Sequence, residues 1–357
     1  MAGGSSGKAG GLLQIEAEPT CLAPLSFKLH SDLAEKHHGR EIWGYRNVEV
    51  GECDFVGRDI TTRSTPDTRD VQGNEKVYPE ALNWVLSSGI QTYKQVGTPA
   101  NSAQVHPYLF TTSIARLAEE AGVKIVQGTA ISINHGHGTA QVESLSYRPR
   151  DKPECCLLPA THVVVAAGPW TSAILPLASI GGAKSHSIVI RPSRPISNNC
   201  LWANIKEQVA SGLNAGINLE LYSRPDGTLY SCEWADPYAP LPTTSDEVDV
   251  DVNRCQEMQD ALASISDELR DGELCKRQVC YQPIILKEGR RAKNAGPLLG
   301  PTGIEGVLLA SGHDSWGVQN APATGLLVSE MIFEGCAKSA DVSSLDPRII
   351  LERSKLF

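Results

Sequence analysis

Hydrophobic and polar positions alternate along this chain with two periods, one typical of helices and one typical of strands. Apolar residues at helical spacing predict helices, which cover residues 25–36, 108–121, 252–269 and 321–333. Shorter runs with period-two alternation or continuous apolar character predict strands, which cover residues 123–126, 130–133, 162–167, 184–191, 219–222, 228–232, 279–286 and 306–311. The chain therefore mixes helices and strands throughout.

The strands fall into two kinds. HVVVAA at 162–167 and GVLLAS at 306–311 are too apolar to face water on either side, and helices lie between them. This pattern predicts an α/β fold with a doubly wound parallel sheet. The alternating strands at 45–60, 184–232 and 273–286 predict a second, antiparallel sheet.

The two kinds of strand interleave in sequence, so each predicted domain is discontinuous. We predict a nucleotide-binding domain formed by residues 1–45, 101–183 and 291–357. A second domain would be formed by residues 46–100 and 184–290. The junction between two such domains is a favoured place for a ligand site.

Composition and charge exclude several classes of function and partner. Of the 357 residues, 41% are hydrophobic and 20% are charged, as in ordinary globular proteins, and the net charge of -9 argues against nucleic acid or an anionic membrane as a partner. No apolar run approaches the ~20 residues of a membrane span. Ten cysteines occur without a C-x-x-C pair, so no metal site is predicted. We expect a cytoplasmic protein with reduced thiols.

Two nucleotide-binding motifs are missing. The opening run MAGGSSGKAGG resembles a phosphate-binding loop, yet Ala9 follows Gly7 and Lys8 where that loop needs Ser or Thr, and Ala2 stands where it needs its first glycine. The dinucleotide fingerprint G-x-G-x-x-G occurs nowhere in the sequence. Neither motif explains the glycine-rich start.

The segment HVVVAAGPWTSAILP offers bare backbone at the end of a buried strand. Ala167 and Gly168 come where the strand ends, and nucleotides bind at that end of a parallel sheet because a side chain would block the approach of the pyrophosphate. A strand that is followed only by a tight turn, without any ligand, would show the same sequence pattern. Both interpretations stay open on this motif alone.

The segment LLASGHDSWGVQNAPATG favours a cofactor. A buried strand ends at Ser311, a loop follows, and a helix is predicted to begin near Ala321. Loop and helix N–H groups there form a positive patch that suits the negative charge a flavin develops on reduction. His313, Asp314 and Ser315 do not form a hydrolase triad, because neighbouring residues cannot adopt that geometry and no G-x-S-x-G is present.

These two segments, together with SSGKAGGLL and the stretch QVHPYLFTTSIARLAEEAGVKIVQGTAI, resemble the D-amino-acid-oxidase/glycine-oxidase family of FAD-dependent oxidoreductases. The resemblance implies an FAD-binding doubly wound sheet with an interleaved antiparallel substrate domain. It also implies hydride transfer from an amine-bearing carbon to flavin N5, after which oxygen takes the electrons. The implied FAD contacts are Ser6, Lys8, Ala9, Gly10, Gly11, Ile131, Ala167, Gly168, Trp170, Gly312, Gly317 and Val318, and the implied catalytic residues are His313 and Trp316.

One departure from the family concerns the cofactor. The family begins with a strand–GxGxxG–helix–strand unit, and this sequence starts just after the corresponding point. We therefore expect an N-terminally truncated form of the fold that holds FAD weakly or not at all. The alternative to an oxidoreductase is a cofactor-free pseudo-enzyme or interaction module that retains the fold.

A second departure concerns the substrate. Family members often carry an arginine for the substrate carboxylate on the strand before the C-terminal motif, and Gln282 occupies that place here. The change argues against an amino-acid substrate unless Arg191, Arg290 or Arg291 substitutes. The sequence therefore predicts a small amine or an amino-acid-like substrate.

Overall fold

A computed structural model describes residues 1–60, 78–136, 141–176, 178–209, 212–213, 216–292 and 295–349. Its helices are α1 (Ser5–Lys8), α2 (Ala23–Lys36), α3 (Gly39–Ile42), α4 (Pro107–Glu120), α5 (Thr171–Ile174), α6 (Val252–Ile265), α7 (Asp267–Arg270) and α8 (Gly317–Phe333). Its strands are β1 (Leu12–Gln14), β2 (Arg46–Asn47), β3 (Val50–Gly57), β4 (Ile90–Gly97), β5 (Ser102–Gln104), β6 (Gly128–His135), β7 (Val142–Pro149), β8 (Cys156–Pro159), β9 (Val163–Val165), β10 (Ile180–Arg191), β11 (Cys200–Val209), β12 (Gly212–Leu213), β13 (Ile217–Ser223), β14 (Leu229–Glu233), β15 (Glu273–Lys287), β16 (Arg290–Arg291), β17 (Leu298–Pro301) and β18 (Val307–Ser311). None of the helices in these ranges has the length and apolar character that crossing a bilayer requires.

The largest sheet has nine strands and two unlike faces. Its strands run in the order β16-β15-β10-β14-β13-β11-β3-β4, with β12 paired to β11, and only the β3–β11 pair is parallel among the pairings described. One face carries side chains such as Phe55, Leu201 and Leu221, which pack with Met258 and Leu262 of α6. This contact buries the main hydrophobic core.

The opposite face of the same sheet, called the polar face below, carries polar side chains together with a smaller hydrophobic cluster. In β13, Leu219 and Leu221 point into the core, so Asn218, Glu220 and Tyr222 point the other way. Period-two alternation thus gives one strand an apolar side that packs in the core and a polar side that faces away from it. The strands predicted at 219–222 and 228–232 are confirmed as the antiparallel pair β13 and β14.

The two strongly apolar predicted strands lie side by side as a parallel pair, β9 and β18, with β17 antiparallel on the far edge of β18. Helix α8 covers this small sheet through Ala323 and Leu327, which pack with Leu308 and with Leu22 at the start of α2. The remaining sheets are the antiparallel sets β1-β5-β2 and β6-β7-β8.

The structure corrects the predictions for residues 123–126 and 252–269. Residues 123–126 form no strand: Val123 and Val126 are 54% and 56% exposed, and no neighbouring strand in the described part of the chain supplies hydrogen bonds to them. The predicted helix at 252–269 divides into α6 and α7, because Ser266 adopts extended backbone and its side chain accepts the Leu269 N–H as an N-cap.

A proline and a histidine join α2 to α8. Pro322 lies inside α8 and has no N–H, so it cannot bond the carbonyl of Val318 four residues earlier. His30 of α2 is fully buried and its Nε2–H donates to that carbonyl at 3.0 Å. The His30 ring also lies 4.8 Å from the ring of Phe110. Burial lowers the pKa of His30 to about 4, so the ring is neutral in the folded protein.

This neutral histidine predicts a loss of stability in mild acid. A histidine titrates near pH 6.5 in the unfolded chain, so the contribution of His30 is present above that pH and is lost as the pH falls towards its folded pKa. By about pH 5 one such residue costs about 2 kcal/mol of the free energy of unfolding. Urea unfolding should show a larger drop between pH 7 and pH 5 in the wild type than in His30→Gln, whose amide can donate to Val318 without titrating. Equal drops would contradict this role.

Candidate functional site

A cavity of about 810 Å³ lies between the small parallel sheet and the polar face of the nine-stranded sheet. Three parts of the chain surround it: the glycine-rich segment before β1, the end of β18 with the start of α8, and the polar residues of β3, β11, β13, β14 and β15. These parts are far apart in sequence. The cavity has the size of a cofactor or small-molecule site.

The glycine-rich segment forms one wall by close backbone contact. A Cβ on Gly10 would lie 2.1 Å from Cε2 of Tyr222, so no side chain fits there. Gly11 has φ +91°, and a Cβ on it would lie 2.0 Å from the carbonyl oxygen of Val105. Glycine is therefore required at both positions by space, and at Gly11 also by backbone conformation.

Hydrogen bonds fix this segment to the large sheet. The Tyr230 hydroxyl donates to the Lys8 carbonyl at 2.8 Å, and Arg224 Nη2 donates to the Ala9 carbonyl at 3.1 Å. The Lys8 ammonium in turn donates to the Val279 carbonyl of β15 at 3.0 Å. The Lys8 side chain thus contacts the sheet. The contact with the flavin that the resemblance implied for Lys8 stays a prediction.

The start of α8 forms the second wall. This helix begins at Gly317, four residues before the predicted start, and no side chain caps its N-terminus. Gly317, Val318 and Gln319 line the cavity, so the first N–H groups of the helix and its positive dipole end are at the cavity wall. The preceding turn is held by Ser311, whose hydroxyl donates to the Gly168 carbonyl at 3.0 Å.

His313 lies in that turn and is neutral. Its Nε2 is 3.0 Å from the hydroxyl oxygen of Thr324, which lies on α8. Burial lowers the pKa of His313 to about 4, so at neutral pH the imidazole contributes a hydrogen bond and no charge. Trp316 lines the cavity beside it.

Two carboxylates of the polar sheet face are already satisfied. Glu233 bonds His186 Nδ1 at 2.8 Å and pairs with Arg254; burial opposes ionisation, yet these partners lower the pKa of Glu233. Asp54 accepts the Thr92 hydroxyl at 2.6 Å and the Asn204 amide at 2.9 Å, and these bonds lower its pKa as well. Both groups are ionised and have partners.

Glu220 differs from them. Its carboxylate accepts the Tyr222 hydroxyl at 2.6 Å and the Cys232 thiol at 3.5 Å, both of which are neutral donors. No ion pair to Glu220 occurs within the described ranges. Burial raises its pKa, and the two hydrogen bonds oppose that shift only in part.

The predicted substrate-end residues occupy distinct places. Gln282 lines the cavity. Arg291 lines it too but pairs with Asp314. Arg191 and Arg290 are exposed and do not line it. In the part of the chain that the structure describes, the cavity therefore has no unpaired arginine.

Most residues that the resemblance implied line this one cavity. Those that line it are Ser6, Ala9, Gly10, Gly11, Gly168, His313, Trp316, Gly317 and Val318. Those that do not are Lys8, Ile131, Ala167, Trp170 and Gly312. The roles of all these residues towards FAD stay predictions. The structure shows why some of them do not line the cavity.

Three of the residues that do not line the cavity lie in other surroundings. Ile131 lies on β6 in the separate β6-β7-β8 sheet and is 39% exposed. Trp170 donates its indole N–H to the Pro242 carbonyl at 2.8 Å. Gly312 has φ +84°, and a Cβ on it would lie 2.9 Å from Cγ1 of Ile285. It therefore allows the backbone turn after β18 to pack against Ile285.

Sequence reasoning missed the polar sheet face. Glu220, Trp202 and Trp234 all line the cavity, and none was singled out. The available signal was the alternation in INLELYS, which places one glutamate on the side away from the core.

The cavity fits a flavin on the observations above. Gly168 has φ +55° and no atom within 4 Å of where its Cβ would be, and a Cβ on Gly317 would meet only the His313 Cβ at 3.7 Å. Bare backbone thus faces open space on the side of the α8 N-terminus. A flat ring can approach there, and its negative end would meet helix N–H groups.

Comparisons with known proteins agree with this geometry. The model of the DAO family, described as FAD dependent oxidoreductase, matches residues 1–331. A Schizosaccharomyces pombe protein named "Putative oxidoreductase C1F5.03c" is 31% identical over 365 residues, which cover 99% of this chain and 89% of that protein.

Solved structures show the same fold at low identity. Glycine oxidase from Geobacillus kaustophilus superposes with a TM-score of 0.69 at 17% identity, covering 98% of this chain and 89% of its own. Iminodiacetate oxidase from Chelativorans sp. BNC1 gives 0.66 at 16% identity, covering 97% and 90%. These matches confirm the predicted FAD-binding α/β fold class. The chain belongs to the DAO family of FAD-dependent oxidoreductases.

Proposed function

We propose that this chain binds FAD in the 810 Å³ cavity and oxidises a small amine there. When bound, FAD would supply at N5 the acceptor for a hydride from the carbon that bears the amine, and oxygen would then take up the two electrons. The observation that carries the proposal is that one cavity joins the glycine-rich segment, the α8 N-terminus and the polar sheet face. Cofactor and substrate walls thus meet in one space.

The N-terminus of α8 would hold the negatively polarised edge of the flavin. Its first N–H groups have no side-chain cap, and the glycine at its first position leaves the backbone open. Groups fixed in this way stabilise developing charge without reorganising. The start of α8 is itself held in place by the bond from His30 to Val318.

His313 and Trp316 would position the ring and exclude water. With a pKa of about 4, the His313 imidazole is a weak base and does not carry the second proton of the cationic form at neutral pH, so we assign it no proton transfer. Hydride transfer depends on orientation more than on a strong base. Both residues therefore act through the shape of the site.

The cavity favours an amine over an amino acid. The solved relatives are named for glycine and iminodiacetate, which are amines that carry carboxylates. Here Gln282 stands on β15 where the family often has arginine, and the cavity arginine is paired with Asp314. We therefore propose that this chain shares amine oxidation with these relatives and does not recognise a substrate carboxylate.

A cavity-filling substitution tests the cofactor site. Gly317→Leu adds a side chain towards open space at a helix position with ordinary backbone, so the fold should keep its stability and even gain from the better helix former. We expect its affinity for FAD to fall at least tenfold below that of the wild type. Visible absorbance after gel filtration with added FAD, together with a fluorescence titration, measures the change.

Ser329→Leu is the matched control, since it places the same side chain on an exposed position of the same helix outside the cavity. It should bind FAD as the wild type does. Unchanged FAD binding in Gly317→Leu would place the flavin elsewhere, and a wild type that binds no FAD at any concentration would support the cofactor-free alternative.

A charge added on β15 tests the substrate class. With FAD supplied in excess and oxygen removed, n-butylamine should bleach the flavin faster than 2-aminobutanoate in the wild type. Gln282→Arg should shift this ratio about tenfold towards the amino acid, because the new cation would face the substrate carboxylate. Stopped-flow absorbance of the flavin band gives both rates.

Gln278→Arg is the control for that experiment, because it lies on the same strand and face but does not line the cavity. Its ratio should match the wild type. A wild type that already prefers 2-aminobutanoate would contradict the assignment of an amine substrate.

A further inference from the structure

Glu220 holds a place in the cavity that the amine chemistry alone does not explain. The β3–β11–β13–β14 register puts Glu52, Trp202, Glu220 and Cys232 in one row across the sheet. Glu220 is central in that row. It lies two residues, or roughly 7 Å along the strand, from Tyr222, whose ring touches the backbone of Gly10.

The carboxyl of Glu220 is half-buried and has only neutral hydrogen-bond donors before any ligand binds. Its neighbours in the row are an indole and a thiol, and its bonds come from the Tyr222 hydroxyl and the Cys232 thiol. Part of the desolvation cost of an ion pair is therefore already met on the protein side. A cation that entered the cavity would meet a carboxyl with no competing ion-pair partner among the described residues.

The other charges of the site do not neutralise this carboxyl. Arg291 pairs with Asp314 near the start of α8, and Arg254 pairs with Glu233. Lys94, opposite Glu52 on the edge strand, is exposed and does not line the cavity. The substrate end of the cavity is thus acidic.

Aromatic rings stand beside Glu220. Trp202 is its cross-strand neighbour, Tyr222 donates to it, and the largely exposed Trp234 also lines the cavity. A carboxyl with aromatic faces around it is the combination that recognises ammonium groups through ionic and cation–π contacts. A carboxylate ligand would meet like charge there.

We propose that Glu220, with Trp202 and Trp234, binds an ammonium group at the far end of the substrate from the oxidised carbon. The substrate class is therefore a diamine or another amine with a second cationic group, and amino acids are excluded. This inference rests on the proposed function, since it assumes that the reacting amine lies at the flavin end. Glu220 is a specificity-determining residue in this account and takes no part in the hydride transfer.

Three ligands of equal length test the assignment by direct binding. Isothermal titration calorimetry of the full chain would compare 1,4-diaminobutane, n-butylamine and 4-aminobutanoate, which end in an ammonium, a methyl and a carboxylate. We expect the diamine to bind about tenfold more tightly than the monoamine, and the amino acid to bind most weakly. Glu220→Gln should lose the preference for the diamine and keep the affinity for n-butylamine.

Two further variants separate charge from folding. Glu220→Asp keeps the negative charge and should retain a preference for the diamine, and Glu273→Gln removes an exposed carboxylate of β15 outside the cavity and should change nothing. Thermal unfolding of each variant checks the fold. Equal affinities for the diamine and the monoamine in the wild type, or an unchanged preference in a folded Glu220→Gln, would overturn the proposal.

The outcomes also separate this inference from the proposed function. Diamine binding that depends on Glu220, without flavin reduction under anaerobic conditions, would retain the ammonium site and refute amine oxidation. Flavin reduction by amines without any preference for a second cation would retain the oxidase and refute the role of Glu220.

Discussion

The candidate site depends on the contact between the glycine-rich segment and the hairpin of β13 and β14. Tyr230 and Arg224 hold the carbonyls of Lys8 and Ala9, and the Tyr222 ring fills the space where Gly10 has no side chain. Tyr222 and Tyr230 stack with ring centroids 6.1 Å apart, and Arg224 lies 4.6 Å from the centroid of Tyr230. These contacts place the backbone that would border the cofactor against the sheet that would receive the substrate.

The two faces of the large sheet explain how stability and function share the same strands. The apolar face packs on α6 and forms the main core, so the register of β11, β13 and β14 is fixed by that packing. The polar face is a consequence of the same register. A one-residue slip would bury Glu220 in the core, so the core holds the cavity residues in place.

Local patterns predicted much of the fold, because buried strands and the β13–β14 turn are properties of short segments. The prediction for 123–126 was wrong because Val123 and Val126 have strand character but no partner strand in the described ranges. The start of α8 lies earlier than predicted. Proline is common in the first turn of a helix, so Pro322 favours a start near Ala321, and the sequence alone does not show that His30 satisfies the carbonyl that Pro322 leaves free.

The site was only partly predictable for a similar reason. Gly10, Gly168 and Gly317 were found because the motifs that contain them resemble a family, and the cavity brings them together. Glu220 owes its surroundings to Trp202 on one neighbouring strand and Cys232 on the other. Cross-strand neighbours are set by long-range register, which the alternation of a single strand does not reveal.

The most direct test of the account is a crystal structure of this chain grown with FAD. The account predicts an isoalloxazine ring in the cavity, with one edge at the N–H groups of Gly317 and Val318 and one face towards the polar sheet. A flavin bound at another place, or a folded chain whose cavity stays closed to saturating FAD, would contradict it.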